Sequence, residues 1–258
     1  MTRRIGLLLA SGTVWLALLG LWWLIAALEK GPATLWPTPA QVASALWGLR
    51  AAFVQNAGTT LGEAALGFAV GVVLAVAIAL AGERYRPLAA SLHGLAIGVY
   101  SLPLIALAPV LVLWIGSGLT TKMIIAALAS FFPVLINLTH ALRTTDEHAL
   151  ELMRVGGASS WQVFLRVELP YALPMLLAAF TIAAPAAILG AMLAEWVGAN
   201  SGLGIQLLNS MQNDDVPQLY ACLAVASMLS LLAWLVFTLL GRWLCPWHAS
   251  LRLAEAQN

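Results

Sequence analysis

The stretch RTTDEHALELMRVGGASSWQVFLRVELP, residues 143–170, decides how this chain folds. Thr144 and Glu147 have the T-x-x-E spacing of a capping box, in which each side chain satisfies a free N–H group at a helix start. Ser159 and Gln162 have the equivalent S-x-x-Q spacing. Two short helices are therefore predicted between the apolar stretches on either side.

The two predicted helices meet at Gly156-Gly157, where glycine can adopt the left-handed backbone angle that ends a helix and reverses the chain. Pro170 marks the point where the second helix passes into the next apolar stretch. The segment is therefore predicted to be a helical hairpin.

The second helix of the hairpin carries an apolar face, because Trp161, Phe164 and Leu165 recur at i, i+3, i+4 spacing. An apolar face on a polar loop must be covered by something. The pattern leaves two alternatives: the face packs back against the ends of the neighbouring apolar helices, or it enters a groove on another protein.

Apolar stretches long enough to cross a bilayer lie on both sides of the hairpin. A helix needs about 20 apolar residues to cross about 30 Å of hydrocarbon. The first stretch is too long for the apolar region of a signal peptide and no clear cleavage site follows it, so a retained span is predicted. Six stretches meet the requirement: Ile5–Leu28, Thr60–Ala81, Leu88–Ile115, Thr121–Leu142, Tyr171–Ala194 and Gln218–Gly241.

The lysines and arginines predict the orientation, because these residues are in excess on cytoplasmic loops. With the N-terminus inside, nine of them are cytoplasmic and three, Lys30, Arg50 and Lys122, are outside. An even number of spans places both termini on one side. Both termini and the hairpin are therefore predicted to be cytoplasmic.

The composition is that of a membrane protein: 62% of the 258 residues are hydrophobic and 9% are charged, against about 45–50% and about 25% in soluble domains. A net charge of +1 without a basic patch predicts no nucleic-acid partner. No G-x-x-x-x-G-K-[ST] motif occurs, which excludes a P-loop nucleotide site. The two cysteines and four histidines lack the spacing of a metal site.

The segment between the first two predicted spans is too apolar to be a simple loop. Val42, Leu46, Leu49 and Phe53 recur at helical spacing. This pattern predicts a short amphipathic helix on the outer surface, which serves as a packing strut.

Few polar residues fall within the predicted spans. Glu63 is the one obvious intramembrane carboxylate, and both an interfacial role and a substrate-binding role remain open. Glu195, at a span end, is interpreted in the same way, and the spans are expected to hold no buried Arg or Lys. Small residues at four-residue spacing in the fifth span predict close packing against a neighbouring helix: Ala183, Ala187 and Ala191.

Pro103 and Pro109 fall within the third predicted span, and Pro185 falls within the fifth. Each removes a backbone hydrogen bond and should kink its helix, which a bilayer tolerates only where neighbours or a water-lined cavity satisfy the freed carbonyl. Pore elements and static kinks that set the shape of the bundle are equally compatible with this pattern.

The hairpin also carries a family resemblance. Glu151-Leu-Met, three residues, Gly157, nine residues and Val167-x-Leu169-Pro170 follow the pattern EAA-x3-G-x9-I-x-LP, apart from Leu, Met and Val in place of two Ala and Ile. In this the chain resembles permease subunits of binding-protein-dependent ABC importers. Four further motifs, within about residues 35–245, are similar to the nitrate/sulfonate/taurine branch: Leu35-Trp-Pro-Thr-Pro, Ser101-Leu-Pro103 with Ala108-Pro109, Phe131-Phe-Pro133, and Ala194-Glu195 with Gly202-Leu-Gly204.

The resemblance implies a type I ABC importer permease fold, which is all-α and integral to the membrane, with about six transmembrane helices and a cytoplasmic two-helix coupling (EAA) hairpin. It divides the chain into an N-terminal cytoplasmic end with the first transmembrane helix (1–28), a periplasmic interfacial segment (29–59), a permease core (60–245) with the coupling hairpin at 143–169, and a cytoplasmic C-terminal tail (246–258).

The resemblance also implies which residues act. The hairpin residues that would contact an ATPase are Glu151, Gly157, Ala158, Trp161, Phe164, Leu165, Val167, Leu169 and Pro170. The candidates for the translocation pathway are Glu63, Ser101, Pro103, Pro109 and Pro185. Glu63 stands where a basic residue is expected in much of this branch, which bears on the substrate.

The implied partners are a second copy of the chain, two cytoplasmic ATP-binding subunits that bind ATP and Mg, a periplasmic or extracellular substrate-binding protein, and membrane lipid. The chain is expected to lie in the bacterial inner (plasma) membrane and to form the pathway for a small solute such as nitrate, a sulfonate or taurine. It is expected to have no catalytic residue, cofactor or metal, and so to be no enzyme.

Two other classes of function remain as alternatives. An ion-coupled secondary transporter would show buried ionisable residues along a pathway. An integral membrane lipid-modifying enzyme would show clustered acidic or polar side chains at a membrane face. The apolar spans predicted above favour neither.

Overall fold

The chain forms a bundle of α-helices in a computed structural model that describes residues 19–28, 35–84 and 103–247, together with residues 13, 17, 94 and 98. No β-strand occurs within these residues. In chain order their helices are α1 (Leu19–Leu28), α2 (Pro39–Gly48), α3 (Arg50–Arg84), α4 (Leu104–Ile115), α5 (Leu119–Arg143), α6 (Glu147–Val155), α7 (Ser160–Val163), a π-turn (Phe164–Glu168), α8 (Leu169–Glu195), α9 (Leu203–Gln212) and α10 (Val216–Leu244).

Four helical stretches within the described residues are long and apolar enough to cross a bilayer, and they match the predicted second, fourth, fifth and sixth spans: Arg50–Gly82, Leu119–Arg143, Ser160–Glu195 and Val216–Leu244. The predicted second span therefore begins at Arg50 rather than at Thr60. At about 1.5 Å per residue, α3 is about 50 Å long, so its first turns extend beyond the hydrocarbon. The predicted first and third spans lie only partly within the described residues, as α1 and α4, and Ser101 lies outside them.

The centre of the bundle is formed by α3, α5 and α8, which pack against one another along their lengths. Small residues allow this close approach. A Cβ at Gly71 in α3 would lie 2.6 Å from the Ala127 carbonyl oxygen in α5, and one at Gly190 in α8 would lie 3.1 Å from Ala126 Cα. Helices in lipid associate through such tight packing, because the surrounding hydrocarbon is as apolar as they are. The packing role predicted for three alanines of the fifth span is confirmed by their burial: Ala183, Ala187 and Ala191.

Aromatic contacts join α10 to this centre. Phe68 of α3, Phe180 of α8 and Phe237 of α10 have ring centroids 5.3–5.4 Å apart. The T-shaped and tilted arrangements are those that aromatic rings prefer. The cluster therefore ties three membrane-spanning helices together.

The predicted outer helix exists, but with different bounds. It ends at Gly48, and Phe53 belongs to α3. Val42 and Phe53 are both buried, and α2 packs against α10 and α3. Val42 therefore has the packing role predicted for the outer helix. Phe53 is also buried, but it belongs to the membrane-spanning helix α3.

The predicted capping box at the start of α6 is wrong. The Thr144 hydroxyl donates to the His140 carbonyl at the end of α5, at 2.9 Å. Asp146 is the N-cap of α6 and accepts from the His148 N–H at 3.0 Å. Aspartate caps helices as well as threonine does, and Asp146 directly precedes the first helical residue.

The three prolines differ in their positions. Pro109 and Pro185 lie inside α4 and α8, as predicted. Pro103 is the N-cap of α4, where its missing N–H removes no helix hydrogen bond, so it does not kink this helix.

Candidate functional site

The hairpin between α5 and α8 has the predicted two-helix form. Gly157 adopts a φ of 73°, and the Ala158 N–H closes the turn by donating to a carbonyl of α6 at 3.0 Å. Ser159 accepts from the Gln162 N–H at 3.3 Å, and the Gln162 side chain accepts from the Ser159 N–H at 2.8 Å. The second predicted capping box and the glycine turn are therefore confirmed.

The apolar face of the hairpin is open to solvent. Trp161 is 66% exposed, and its ring stacks on Phe164 with centroids 5.5 Å apart. Leu165 is also exposed. Of the two alternatives left by the pattern, packing of Trp161 against the ends of the spans is not observed.

The other predicted coupling residues lie along the same hairpin or directly after it. They differ in exposure: Glu151, Gly157 and Leu169 are exposed, whereas Ala158, Val167 and Pro170 are half-buried. All six residues therefore keep some exposed surface on the described chain.

A π-turn joins the hairpin to α8, a feature that the sequence pattern did not reveal. The helix runs without interruption from Ser160 to Glu195, and the Leu169 N–H donates to the Phe164 carbonyl five residues back. Pro170 occupies the first turn of α8, where the chain was expected to pass from one helix into another. π-turns are rare and often occur at functional sites. Here the second helix of the hairpin, the π-turn and a membrane-spanning helix are continuous.

A second site lies at the end of the bundle opposite the hairpin, since it includes the first turn of α5 and the last of α8. We call it the polar cluster. It consists of Asn56, Thr60 and Glu63 of α3, Lys122 of α5, Glu195 of α8 and Gln206 of α9.

A buried ion pair is part of the polar cluster. Lys122 Nζ donates to Glu63 Oε1 at 2.6 Å, and the two side chains are 10% and 7% exposed. One expectation from the sequence is therefore wrong, because the spans do hold a buried lysine. The two side chains can be buried because each neutralises the other, whereas either charge alone would be too costly to bury.

Glu195 is fully buried, and it anchors the start of α9. Its two carboxyl oxygens accept from the Thr60 hydroxyl at 2.6 Å and from the Gly204 N–H at 2.5 Å. Thr60 in turn accepts from the Leu203 N–H at 2.8 Å. A helix N-terminus carries free N–H groups and a partial positive charge, both of which a carboxylate satisfies.

Asn56 and Gln206 complete the polar cluster. The Asn56 amide donates to Gln206 at 2.7 Å and accepts from the Gly202 N–H at 2.9 Å. A signal for this site was present in the sequence, since Asn56, Thr60 and Glu63 recur at i, i+4, i+7 and make a polar stripe on an apolar helix. Their partners could not be identified in this way.

The chain matches, over residues 67–248, the family described as "Binding-protein-dependent transport system inner membrane component". It is 31% identical to the formylaminopyrimidine transport permease protein ThiX of Halalkalibacterium halodurans, over 92% of this chain and 95% of that one. It is 32% identical to the riboflavin transport system permease protein RibX of Chloroflexus aurantiacus, over 90% and 88%. The putative aliphatic sulfonates transport permease protein SsuC of Escherichia coli is 28% identical, over 93% and 92%.

The fold has a solved counterpart in the crystal structure of an amino acid ABC transporter with histidines. The TM-score is 0.65 at 16% identity, over 76% of this chain and 96% of that one. The bundle therefore has the type I ABC importer permease fold.

The polar cluster contains the buried ionisable groups that a secondary transporter would show. The family match over most of the chain decides against that alternative and against a lipid-modifying enzyme. The chain belongs to the family of binding-protein-dependent transport system inner membrane components and is a permease subunit of an ABC transporter.

Proposed function

We propose that the hairpin couples this permease subunit to a separate cytoplasmic ATP-binding subunit, which binds ATP and Mg and supplies the energy for import. The exposed Trp161 ring stacked on Phe164 is the observation that carries this proposal. Aromatic side chains contribute much of the energy of protein interfaces, and an apolar helix face fits a groove on a partner.

The hairpin and both termini lie on the cytoplasmic side in this proposal. Lys122 is one of the three charges predicted to lie outside, but it is buried in an ion pair and is not a loop charge. Nine cytoplasmic lysines and arginines then face Lys30 and Arg50 alone on the outside. The stronger bias supports the orientation.

Two copies of the chain form the pathway, and an external binding protein delivers the substrate to the side opposite the ATP-binding subunits. Closure of those subunits around ATP pushes the two hairpins. Because α7, the π-turn and α8 are continuous, this push moves α8 directly and shifts the pathway between inward-open and outward-open forms. Pro109 and Pro185 remain pathway candidates, whereas the Glu63 carboxylate is committed to a contact within the chain.

The coupling role is tested by Trp161→Ala in the complex of the permease with its co-expressed ATP-binding subunit. We expect the variant to lose co-purification of that subunit and ATP-dependent uptake into proteoliposomes. Trp47→Ala is the matched control, since Trp47 is also largely exposed but precedes α3, at the other end of the bundle. Equal behaviour of the two variants would contradict the proposal, as would crosslinks from Trp161 only to its own chain in the working complex.

The turn of the hairpin provides a second test. Gly157→Val places a β-branched side chain where φ is 73°, a backbone angle that such residues rarely adopt, and we expect an inserted chain that no longer transports. Gly156→Ala is the control, because Gly156 has a helical φ of −72° and a Cβ there makes only ordinary contacts. Full uptake by Gly157→Val would argue against a rigid lever.

We further propose that the substrate is a small organic solute or anion of the kind named for the relatives, such as a sulfonate, and that the binding protein selects it. The buried lysine offers no free positive charge to an anion, because Glu63 pairs with it. Identification of the ligand held by the co-purifying binding protein tests this. A permease that selects among solutes without the binding protein would contradict it.

A further inference from the structure

A pocket of about 360 Å³ lies where the hairpin meets the membrane-spanning helices, and we call it the hairpin pocket. Its volume is within the range of about 300–1,000 Å³ that is usual for small-molecule sites. Among its lining residues, Gly82 ends a membrane-spanning stretch, Arg143 ends α5, and Glu168 directly precedes α8. The hairpin pocket therefore lies at the level of the lipid headgroups.

Charges of both signs line the hairpin pocket. Arg143 and Arg154 are exposed, and neither guanidinium group has an ion pair or a hydrogen bond within residues 35–84 and 103–247. Glu147, the first residue of α6, lines the same pocket, as does Glu168. Guanidinium groups bind phosphate with two parallel hydrogen bonds, and a carboxylate accepts from an ammonium group. The lining thus matches a ligand that carries both a phosphate and an ammonium group.

An apolar groove leads to the hairpin pocket along the seam between α3 and α5. Leu74 and Ile78 line the groove on α3, and Gly82 of the pocket follows at the same four-residue spacing. On α5, Phe131 lines the groove and Leu142 lines the pocket, and the eleven residues between these positions make three helical turns. The groove and the pocket therefore lie on the same faces of the two helices.

The groove has the length of one leaflet of a bilayer. From Val70, which lines it, to Gly82 of the pocket, α3 rises by about 18 Å at about 1.5 Å per residue. Half of the hydrocarbon core is about 15 Å thick. The groove has a volume of about 290 Å³, and all its lining residues are apolar. Its length and lining fit a lipid acyl chain whose headgroup lies in the hairpin pocket.

We propose that the hairpin pocket and the groove together bind one molecule of phosphatidylethanolamine. Arg143 and Arg154 bind its phosphate, Glu147 accepts from its ammonium group, and one acyl chain lies between α3 and α5. Phosphatidylglycerol has no cation for the carboxylate, and phosphatidylcholine has no N–H group to donate to it. Basic pockets between membrane-spanning helices are known sites for lipid headgroups. The bound lipid links the hairpin to α3 and α5.

Native mass spectrometry of the purified full-length chain tests the proposal. The chain is mixed in detergent with equal amounts of phosphatidylethanolamine, phosphatidylcholine and phosphatidylglycerol that have identical acyl chains. We expect the wild type to retain phosphatidylethanolamine in preference to the other two lipids. Arg143→Gln/Arg154→Gln should bind it at least about tenfold more weakly, because hydrogen bonds to charged groups are lost. Arg166→Gln is the matched control, since Arg166 is an exposed arginine of the same hairpin and does not line the pocket.

Glu147→Gln tests the place of the ammonium group. This substitution removes a negative charge from the hairpin pocket, so the preference should change from phosphatidylethanolamine to phosphatidylglycerol. An unchanged preference would overturn the assignment of the ammonium group to Glu147. If the double arginine variant does not fold, the selection by the wild type and by Glu147→Gln decides the question.

Three other results would overturn the proposal. The first is a wild type that does not select among the three lipids, including a dimeric chain that retains no lipid because a second copy covers the groove. The second is an equal loss of binding in Arg166→Gln and in the double arginine variant, which would indicate unspecific attraction. The third is displacement of the lipid by inorganic phosphate or by glycerophosphoethanolamine, which has no acyl chains, because the pocket would then take a soluble phosphate compound.

Discussion

Replacement of Lys122 by methionine should destabilise the bundle far more than loss of a surface charge does. Methionine keeps the length and apolar stem of lysine but removes the ammonium group, which leaves Glu63 without its 2.6 Å partner. The side chains are only 10% and 7% exposed, so solvent screens the pair little. Loss of one partner of a buried pair costs about 3–5 kcal/mol, against about 0–1 kcal/mol for an exposed pair. We therefore expect Lys122→Met to cost about 3 kcal/mol or more.

The double variant Glu63→Leu/Lys122→Met separates the ion pair from the packing around it. It removes both charges, and a buried pair replaced by apolar residues of similar volume is often neutral or stabilising. We expect most of the lost stability to return. Denaturant titration of the purified chain in mixed micelles, followed by tryptophan fluorescence, measures the difference. A loss below about 1 kcal/mol for Lys122→Met, or a double variant as unstable as the single one, would refute the reasoning.

Three further predictions concern a glycine, the π-turn and a cysteine. Gly204→Ala should lower the free energy of unfolding by about 1–3 kcal/mol in the same titration, because its Cβ would collide with a main-chain carbonyl oxygen. Gly58→Ala is the control, since it has open space in a helix and should raise the free energy of unfolding by about 0.5–1 kcal/mol. Equal effects of the two substitutions would contradict the close packing at Gly204. Deletion of Arg166 removes the extra residue of the π-turn, so the helix should continue as regular α-helix with the hairpin near its original orientation. If only the continuity of the rod matters, the variant should keep ATP-dependent uptake; loss of uptake by an inserted chain would contradict this and would show that transport needs the π-turn itself. Burial raises the pKa of the Cys245 thiol, which lowers the fraction of reactive thiolate. In a Cys222→Ala background, N-ethylmaleimide should therefore label Cys245 slowly in the native chain and quickly after denaturation. Rapid labelling of the native chain would contradict the burial of Cys245.

The membrane-spanning helices and the hairpin could be predicted because their signals are local. An apolar stretch of about 20 residues forms a helix in lipid whatever its neighbours are, since every backbone group must be paired within the segment. The turn at Gly157 and the capping box at Ser159 likewise depend on residues within four positions of each other. Family motifs in the same hairpin predicted the fold, and they are also the source of the coupling role that we propose.

Where local signals competed, the sequence was less decisive. Thr144 and Asp146 are both good caps, and only the position at which α5 ends selects Asp146. The start of α3 at Arg50 was missed because the residues before Thr60 were assigned to a separate outer helix. The π-turn was missed because it differs from an α-helix by one residue in hydrogen-bond register and leaves no composition signal.

The polar cluster was decided by the tertiary structure alone. Lys122 is 59 residues from Glu63, Glu195 is 135 from Thr60, and Gln206 is 150 from Asn56. Whether an isolated glutamate in a span lies at the surface, binds a substrate or is paired depends on which helix packs against it. The sequence determined by itself that the chain crosses the membrane and presents a hairpin. Helix packing determined which charges are neutralised, because the energy of a buried charge depends on its neighbours in space rather than along the chain.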